Sequence, residues 1–271
     1  MTPRRPVHLY VPVLLLTAVW IFPILWTALT SLKPLDELRG LKPSFVFTPS
    51  LDSYVSLFED KGFGAYLQHS VMIAGGATIV AMLLAVLAAY ALTRMNLPGR
   101  DHIGLWILSL RMIPPIVTIV PFYLVFNSAQ LLDTYIGILI VYLSFSLPFA
   151  IWMLQGFFAE IPPSLDEAAT ADGAGPVKVL FRIIVPMTRA GIAVTTIFTF
   201  VFAWNEFLFA FLLTRDRWVT VPVGLGISST PEQTDWGYLA AGGIVSFLPL
   251  VIVVFLLQRQ MVRGMTFGAV K

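Results

Sequence analysis

The chain has 271 residues, of which 58% are hydrophobic and 12% charged, with a net charge of +2 and a mean hydropathy of +0.84. Such values exclude an ordinary soluble domain and identify an integral membrane protein. The absence of cysteine excludes a disulfide framework and a thiolate metal site, and the three histidines, His8, His69 and His102, lack the spacing of a zinc site.

Six stretches are long enough to cross about 30 Å of hydrocarbon, which takes about 20 helical residues. They cover residues 9–31, 66–93, 103–126, 135–158, 191–213 and 237–258. None alternates in hydropathy like a barrel strand. The expected fold is an all-α membrane protein with six transmembrane helices, forming a single transmembrane domain over residues 1–271 with no internal repeat. Arg4 and Arg5 precede the first span in the manner of a signal peptide, but the apolar run is too long and no small-residue cleavage site follows, so it reads as an uncleaved anchor. Arg94 and Arg100 follow the second span, Lys178, Arg182 and Arg189 the fourth, and Arg259, Arg263 and Lys271 the sixth. By the positive-inside rule these are cytoplasmic. Both termini are then inside, with external loops at 32–65, 127–134 and 214–236, a cytoplasmic loop at 161–190 and a cytoplasmic tail at 259–271.

Within the spans, Gly75-Gly76 in the second offers a small-residue surface for close helix packing. In the third, Arg111 precedes Pro114-Pro115, two prolines that remove backbone donors and bend or break the helix. Arg111 is expected to pair with the freed carbonyls or to snorkel inward. The fourth span carries Tyr142, Ser144 and Ser146.

Between the fourth and fifth spans the chain reads SLDEAATADGAGPVKVLFRIIVP from Ser164 to Pro186. Ser164 and Glu167 have the S-x-x-E spacing of a capping box, which predicts a helix starting there and gives Glu167 a structural duty. Gly173 is placed to end that helix in the left-handed region, and Pro176 suits the first turn of the next. Leu165, Ala168, Ala169 and Asp172 fall at helical spacing on one face, a narrow ridge able to sit deep in a partner's groove. If Glu167 is occupied by capping, docking falls to Ala168, Ala169 and the turn at Gly173. No other cytoplasmic segment is large enough for a docking surface. No G-x-x-x-x-G-K-[ST] phosphate loop occurs, so any energy source is expected on a partner. The fifth span then contains Trp204, Asn205 and Glu206 in an apolar run, and the sixth carries Gly242-Gly243.

Glu167-Ala168-Ala169, Gly173, Ile183 and Pro186 stand at the spacing of E-A-A, three residues, G, nine residues, I-x-L-P, with Val185 in the leucine place. This resembles the EAA loop of permease subunits in bacterial ABC importers. Residues 112–115 (MIPP), 121–123 (PFY), 147–149 (LPF), 202–207 (FAWNEF) and 264–271 (GMTFGAVK) extend the resemblance over nearly the whole chain, to the carbohydrate-uptake branch that includes the smaller permease of maltose importers. The resemblance implies a non-catalytic translocation subunit of the bacterial inner membrane, multi-pass, carrying a sugar or sugar-like solute. Its implied partners are a second homologous permease, two ATP-binding subunits, an external solute-binding protein and the bilayer, with no nucleic acid. ATP and Mg would sit on the ATPase subunits and no cofactor on this chain. The elbow would be the coupling helix, through Leu165, Glu167, Ala168, Ala169, Asp172, Gly173, Ile183 and Pro186. The tail, through Gly264, Thr266, Gly268 and Lys271, would reach the ATPase junction, and the loop 215–236 the binding protein. Hydroxyl, amide and aromatic groups suit a sugar pathway, which makes Tyr142, Ser144, Ser146, Trp204, Asn205 and Glu206 its candidates. The rival reading, an ion-coupled secondary transporter, needs several intramembrane acids or histidines, whereas Glu206 is the one clear acid in a span. A membrane enzyme would need paired acids, a metal cluster or an activated nucleophile, and the sequence offers none.

Overall fold

The computed structural model describes residues 10–38, 45–228 and 234–267. In chain order the helices are α1 (Tyr10–Ser31), α2 (Leu35–Leu38), α3 (Asp52–Glu59), α4 (Phe63–Arg94), α5 (Arg100–Leu110), α6 (Pro115–Ser128), α7 (Tyr135–Ala159), α8 (Ser164–Ala171) and α9 (Pro176–Val179). A π-helical turn over Leu180–Ile184 leads into α10 (Val185–Met187), α11 (Arg189–Trp204), α12 (Leu208–Leu213), α13 (Val221–Ile227) and α14 (Trp236–Phe267). No extended strand forms among the described residues, in keeping with the expected all-α class.

Helices α1, α4, α7 and α14 are each long and apolar enough to cross a membrane unbroken. A helix suits that setting because it pairs all its backbone groups internally. The third expected span is not a single rod, the fifth breaks between Trp204 and Leu208, and a further bend lies just ahead of it. α5 and α6 meet at a 91° bend, and the segment Pro176–Met187 meets α11 at 80°, which gives four spans, or six if each bent pair is counted as one. Prolines cause the first break: Pro114 is extended and Pro115 opens α6, so neither donates to a continuous helix. Pro186 accounts for the π turn, since in an α-helix its ring would strike the Arg182 carbonyl and the wider turn removes the clash. The sixth expected span continues as helix to Phe267, so the expected tail at 259–271 begins as a continuation of α14. Gly264 and Thr266 lie on that extension, while Gly268 and Lys271 lie outside the described residues.

Residues 1–64 and 224–248 form one compact unit. In it α1 presents large apolar side chains outward, Trp20 at 79% exposure among them, as lipid contact requires. The buried Lys33 amine sits over the Trp26 and Phe47 rings at 4.7 and 5.5 Å. Gly242 lets α14 close on Leu225, the packing role expected of that glycine pair.

Residues 65–223 and 249–271 form the second unit. Its core has two parts. One gathers Ile73, Tyr142, Phe200, Trp204 and Phe209, and the other Ala85, Ala89, Leu154, Phe158, Leu180 and Ile184. The alanines of α4 and the close approaches of Gly76 to Tyr135 and of Gly191 to Phe157 bring these helices together. Arg111 takes different partners from those its sequence position suggests. Its guanidinium lies over the rings of Phe149 and Phe202, at 4.7 and 5.6 Å, rather than on freed carbonyls. Two flat apolar faces from α7 and α11 thus attract an exposed cation at the proline break.

Candidate functional site

The elbow between α7 and α11 is built by its prolines and glycines. The chain leaves α7 through buried Ile161 and then Pro162-Pro163. The Pro162 carbonyl accepts from the Leu165 amide at 3.2 Å, and the Pro163 carbonyl from those of Asp166 and Glu167 at 3.0 and 3.1 Å. Pro163 already has helical angles, so the helix starts one residue earlier than expected and Ser164 lies inside it. The expected capping box between Ser164 and Glu167 therefore does not form: no side chain caps this end. Proline's fixed φ is preset for a helix start, which explains the shift. Glu167 is left exposed and free of capping duty.

The other end matches its sequence reading. Gly173 has φ +80, the Gly173 amide donates to Thr170 O at 2.9 Å, and the Ala174 amide to Ala169 O at 2.9 Å. That pair of bonds is a Schellman closure, in which only glycine takes the left-handed position without strain. Gly175 then precedes Pro176 at the start of α9.

No residue of α8 is buried. Leu165, Glu167, Ala168, Asp172 and Gly173 are exposed, whereas Ala169 is half-buried and packs with Ala174 and Ile183 against the Leu154–Phe158 side of the core. The expected ridge thus loses Ala169 to its inner flank and consists of Leu165, Ala168 and Asp172, one stripe at i, i+3 and i+7, with Glu167 beside it. Pro186 is exposed and Ile183 half-buried. They shape the second half of the elbow rather than the ridge.

Sequence reasoning missed the residue that holds the elbow in place. Arg94 at the end of α4 lies 3.2 Å from Asp166 through Nε and Oδ2, and its Nη2 donates to the carbonyls of Phe158 and Ile161. In the sequence Arg94 is only one more cation after a span, and no spacing rule connects it to Asp166.

The six pathway candidates separate. Tyr142, Ser146 and Trp204 are buried in the chain's own core, at 1%, 2% and 3% exposure. Ser144 is exposed and donates to Val141 O, and Asn205 is exposed and donates to Val201 O. Glu206 is half-buried at the gap between α11 and α12, where Oε1 accepts from the Phe209 amide at 3.0 Å and Oε2 from the Ala210 amide at 3.1 Å. The Tyr142 hydroxyl donates to the Glu206 backbone carbonyl at 3.3 Å. Because the helix ends at Trp204, these three adjacent residues do not follow helical spacing.

A second unforeseen device lies in the loop before α7. The Asp133 carboxylate accepts from the amides of Asp216, Arg217 and Trp218 at 3.1–3.2 Å, joining two segments far apart in sequence. Burial pushes its pKa up, but the converging amides of Arg217, Asp216, Arg215 and Trp218 outweigh that and hold it below the usual carboxylate value. A lowered folded pKa contributes stability that is present above the unfolded value near 4 and is lost as pH falls through the folded one. The Trp218 ring, packed on His69 and Tyr135, is therefore expected to change its fluorescence below about pH 4 in the parent chain and not in Asp133→Asn. That variant costs about 1 kcal/mol for a half-buried loop carboxylate. An acid transition identical in both proteins would refute the assignment.

Comparison with known proteins agrees with this geometry. The family described as the binding-protein-dependent transport system inner membrane component matches residues 81–267. The trehalose transport system permease protein SugB of Mycobacterium tuberculosis is 36% identical, over 99% of this chain and 98% of that protein. The trehalose/maltose transport system permease protein MalG of Thermococcus litoralis is 33% identical over 98% and 97%. The sulfoquinovosyl glycerol transport system permease protein SmoH of Agrobacterium fabrum is 34% identical over 93% and 89%. Among solved structures, a bacterial ABC transporter involved in the import of the acidic polysaccharide alginate matches 95% of this chain and 99% of its own with a TM-score of 0.75 at 21% identity, a likeness of fold. A helical membrane chain, matched by the family model over most of its length and by relatives from end to end, belongs to the inner membrane components of binding-protein-dependent transport systems.

Proposed function

We propose that this chain is the translocation subunit of an ATP-driven importer for a sugar or sugar-like solute, with both termini and the elbow on the cytoplasmic side of a bacterial inner membrane. It catalyses nothing and binds no cofactor. ATP and Mg belong to two partner ATPase subunits, a second homologous permease completes the pathway, and an external binding protein delivers the solute. The observation that carries this reading is the elbow: a short helix closed by Gly173 whose outer face offers Leu165, Ala168 and Asp172 as an exposed stripe that no other part of the chain covers among the described residues. Small side chains on such a ridge permit close seating in a cleft. The relatives' glycoside substrates support the solute class, and a solved alginate importer in complex with a periplasmic protein supports the external partner. Ser144 and Asn205 are the pathway candidates that reach the chain's surface, and the α14 extension carrying Gly264 and Thr266 is the route toward the ATPase junction.

The ion-coupled alternative gains nothing from the structure, because both carboxyl oxygens of Glu206 are already engaged by the backbone of α12. Purification in mild detergent tests the assignment. An ATP-binding subunit and a second permease are expected to co-purify, and Ala168→Cys to form a cross-link to the ATP-binding subunit. Solute uptake by the chain alone would overturn it.

A further inference from the structure

We infer that Arg94 is a mechanical strut that makes the elbow move as one body with the inner ends of α4 and α7. The inference rests on the reading of the elbow as the ATPase-docking element and says how its motion enters the membrane domain. One guanidinium serves three segments. Nε faces Asp166 of α8 at 3.2 Å, Nη2 donates to Phe158 O of α7 at 2.8 Å and to Ile161 O just beyond it, and the side chain itself belongs to the last residue of α4. Arg94 is 8% and Asp166 18% exposed, so water competes weakly for either. The Nε–H is not aimed along the line to Oδ2, and Oδ1 of Asp166 has no hydrogen-bond partner, so the contact holds by charge rather than by an aligned bond.

The chemistry of arginine suits this task. Its planar fork donates in several directions from one rigid group, whereas a lysine is a single point charge. The two carbonyls it takes, Phe158 O in the last turn of α7 and Ile161 O just beyond it, lie where the helix dipole favours a cation, and Asp166 lies in the first turn of α8, where the dipole favours an anion. The strut therefore binds the negative end of one helix and the acid at the positive end of the next. On the far side of the elbow, Val179, Leu180 and Ile184 are buried against Ala85, Ala89 and Leu154. The elbow is thus fixed to α4 and α7 at both halves, by charge and the inner flank at Ala169 in α8 and by apolar packing after α9. On the α8 side, the Arg94–Asp166 pair is the polar tie among the described residues. Without it, a push on the α8 ridge tilts α8 about the Gly173 turn instead of displacing the spans.

The test uses the whole reconstituted complex. The chain has no cysteine, so spin labels on Met95→Cys and Ala171→Cys, both exposed positions, report the distance between α4 and α8. In the parent that distance is expected to be narrow and equal with and without trapped ATP. In Asp166→Asn, which leaves the bonds from Arg94 to α7 intact, it is expected to broaden, and solute taken up per ATP hydrolysed to fall about tenfold. Arg94→Gln is expected to do the same or more; if it fails to accumulate, Asp166→Asn decides alone. A parent distance that shifts with ATP, or an Asp166→Asn complex with parental uptake per ATP, would overturn the strut. The docking reading is judged separately by the Ala168→Cys cross-link in the parent complex: its absence removes docking, whereas a cross-linked complex insensitive to Asp166→Asn removes only the strut.

Discussion

Replacing Gly173 by valine is expected to cut ATP-driven uptake by about tenfold or more while the complex still assembles. The reason is conformational. Gly173 has φ +80, and nothing lies within 4 Å of a Cβ built there, so the penalty is not a clash. An L-residue forced into the left-handed region costs about 1–2 kcal/mol, and a β-branched one lies at the upper end. The turn escapes that cost by abandoning the Schellman bonds from Gly173 and Ala174, which lets the end of α8 unwind and re-aims the ridge. On the proposed docking role of α8, a helix aimed wrongly would still allow ATP hydrolysis but transmit little of it. Asparagine, which tolerates left-handed angles, is the control: Gly173→Asn is expected to keep most of the uptake. Uptake into proteoliposomes, measured beside ATPase rate, separates the outcomes. Parental uptake in the valine variant would remove the turn from the coupling device. Equal losses in the asparagine and valine variants would assign the effect to the docking surface instead.

What could be read from the sequence follows how local each feature is. Apolar runs of span length, the Gly173 closure, the start at Pro176 and the break at Pro114-Pro115 are decided by neighbouring residues, and the structure has them. The start of α8 departs from the capping-box expectation although it is local, because two signals compete there. Ser164 and Glu167 have capping-box spacing, but Pro163 adopts helical angles first and pre-empts them. Glu167 is therefore left exposed beside the Leu165, Ala168 and Asp172 stripe instead of being engaged in a cap. Non-local contacts were out of reach. Arg94 with Asp166, Asp133 with the amides of residues 216–218, and Arg111 on Phe149 and Phe202 join elements whose proximity depends on helix packing. For the same reason, polar residues in a span could not be divided beforehand into core and surface. Trp204 and Asn205 are adjacent in sequence, yet one is buried and the other exposed.

Glu206→Ala is expected to be the most damaging single change within the apolar spans. α11 stops at Trp204 and α12 starts at Leu208, so the first amides of α12 have no carbonyl one turn earlier in the same helix. Glu206 supplies the missing acceptors, one carboxyl oxygen to Phe209 and the other to Ala210. Alanine offers none, and water is scarce at that depth, so two unpaired donors at about 1–3 kcal/mol each remain in an apolar setting. The Tyr142 bond to the Glu206 backbone carbonyl survives, but the Tyr142 hydroxyl loses its contact with the carboxylate. The expected result is a lower melting temperature in detergent and a lower yield of assembled complex, with Asn205→Ala close to the parent, since the Asn205 amide bonds only to Val201 of its own helix. Glu206→Gln keeps one acceptor and is expected to lose roughly half as much stability. It also discriminates between transport mechanisms. If Glu206 is a helix cap, the glutamine variant retains most of its ATP-driven uptake in vesicles without an ion gradient, whereas a carrier that binds its driving ion at this acid would lose transport entirely. Parental stability in Glu206→Ala, or uptake that depends on an ion gradient and vanishes in Glu206→Gln, would contradict the capping role.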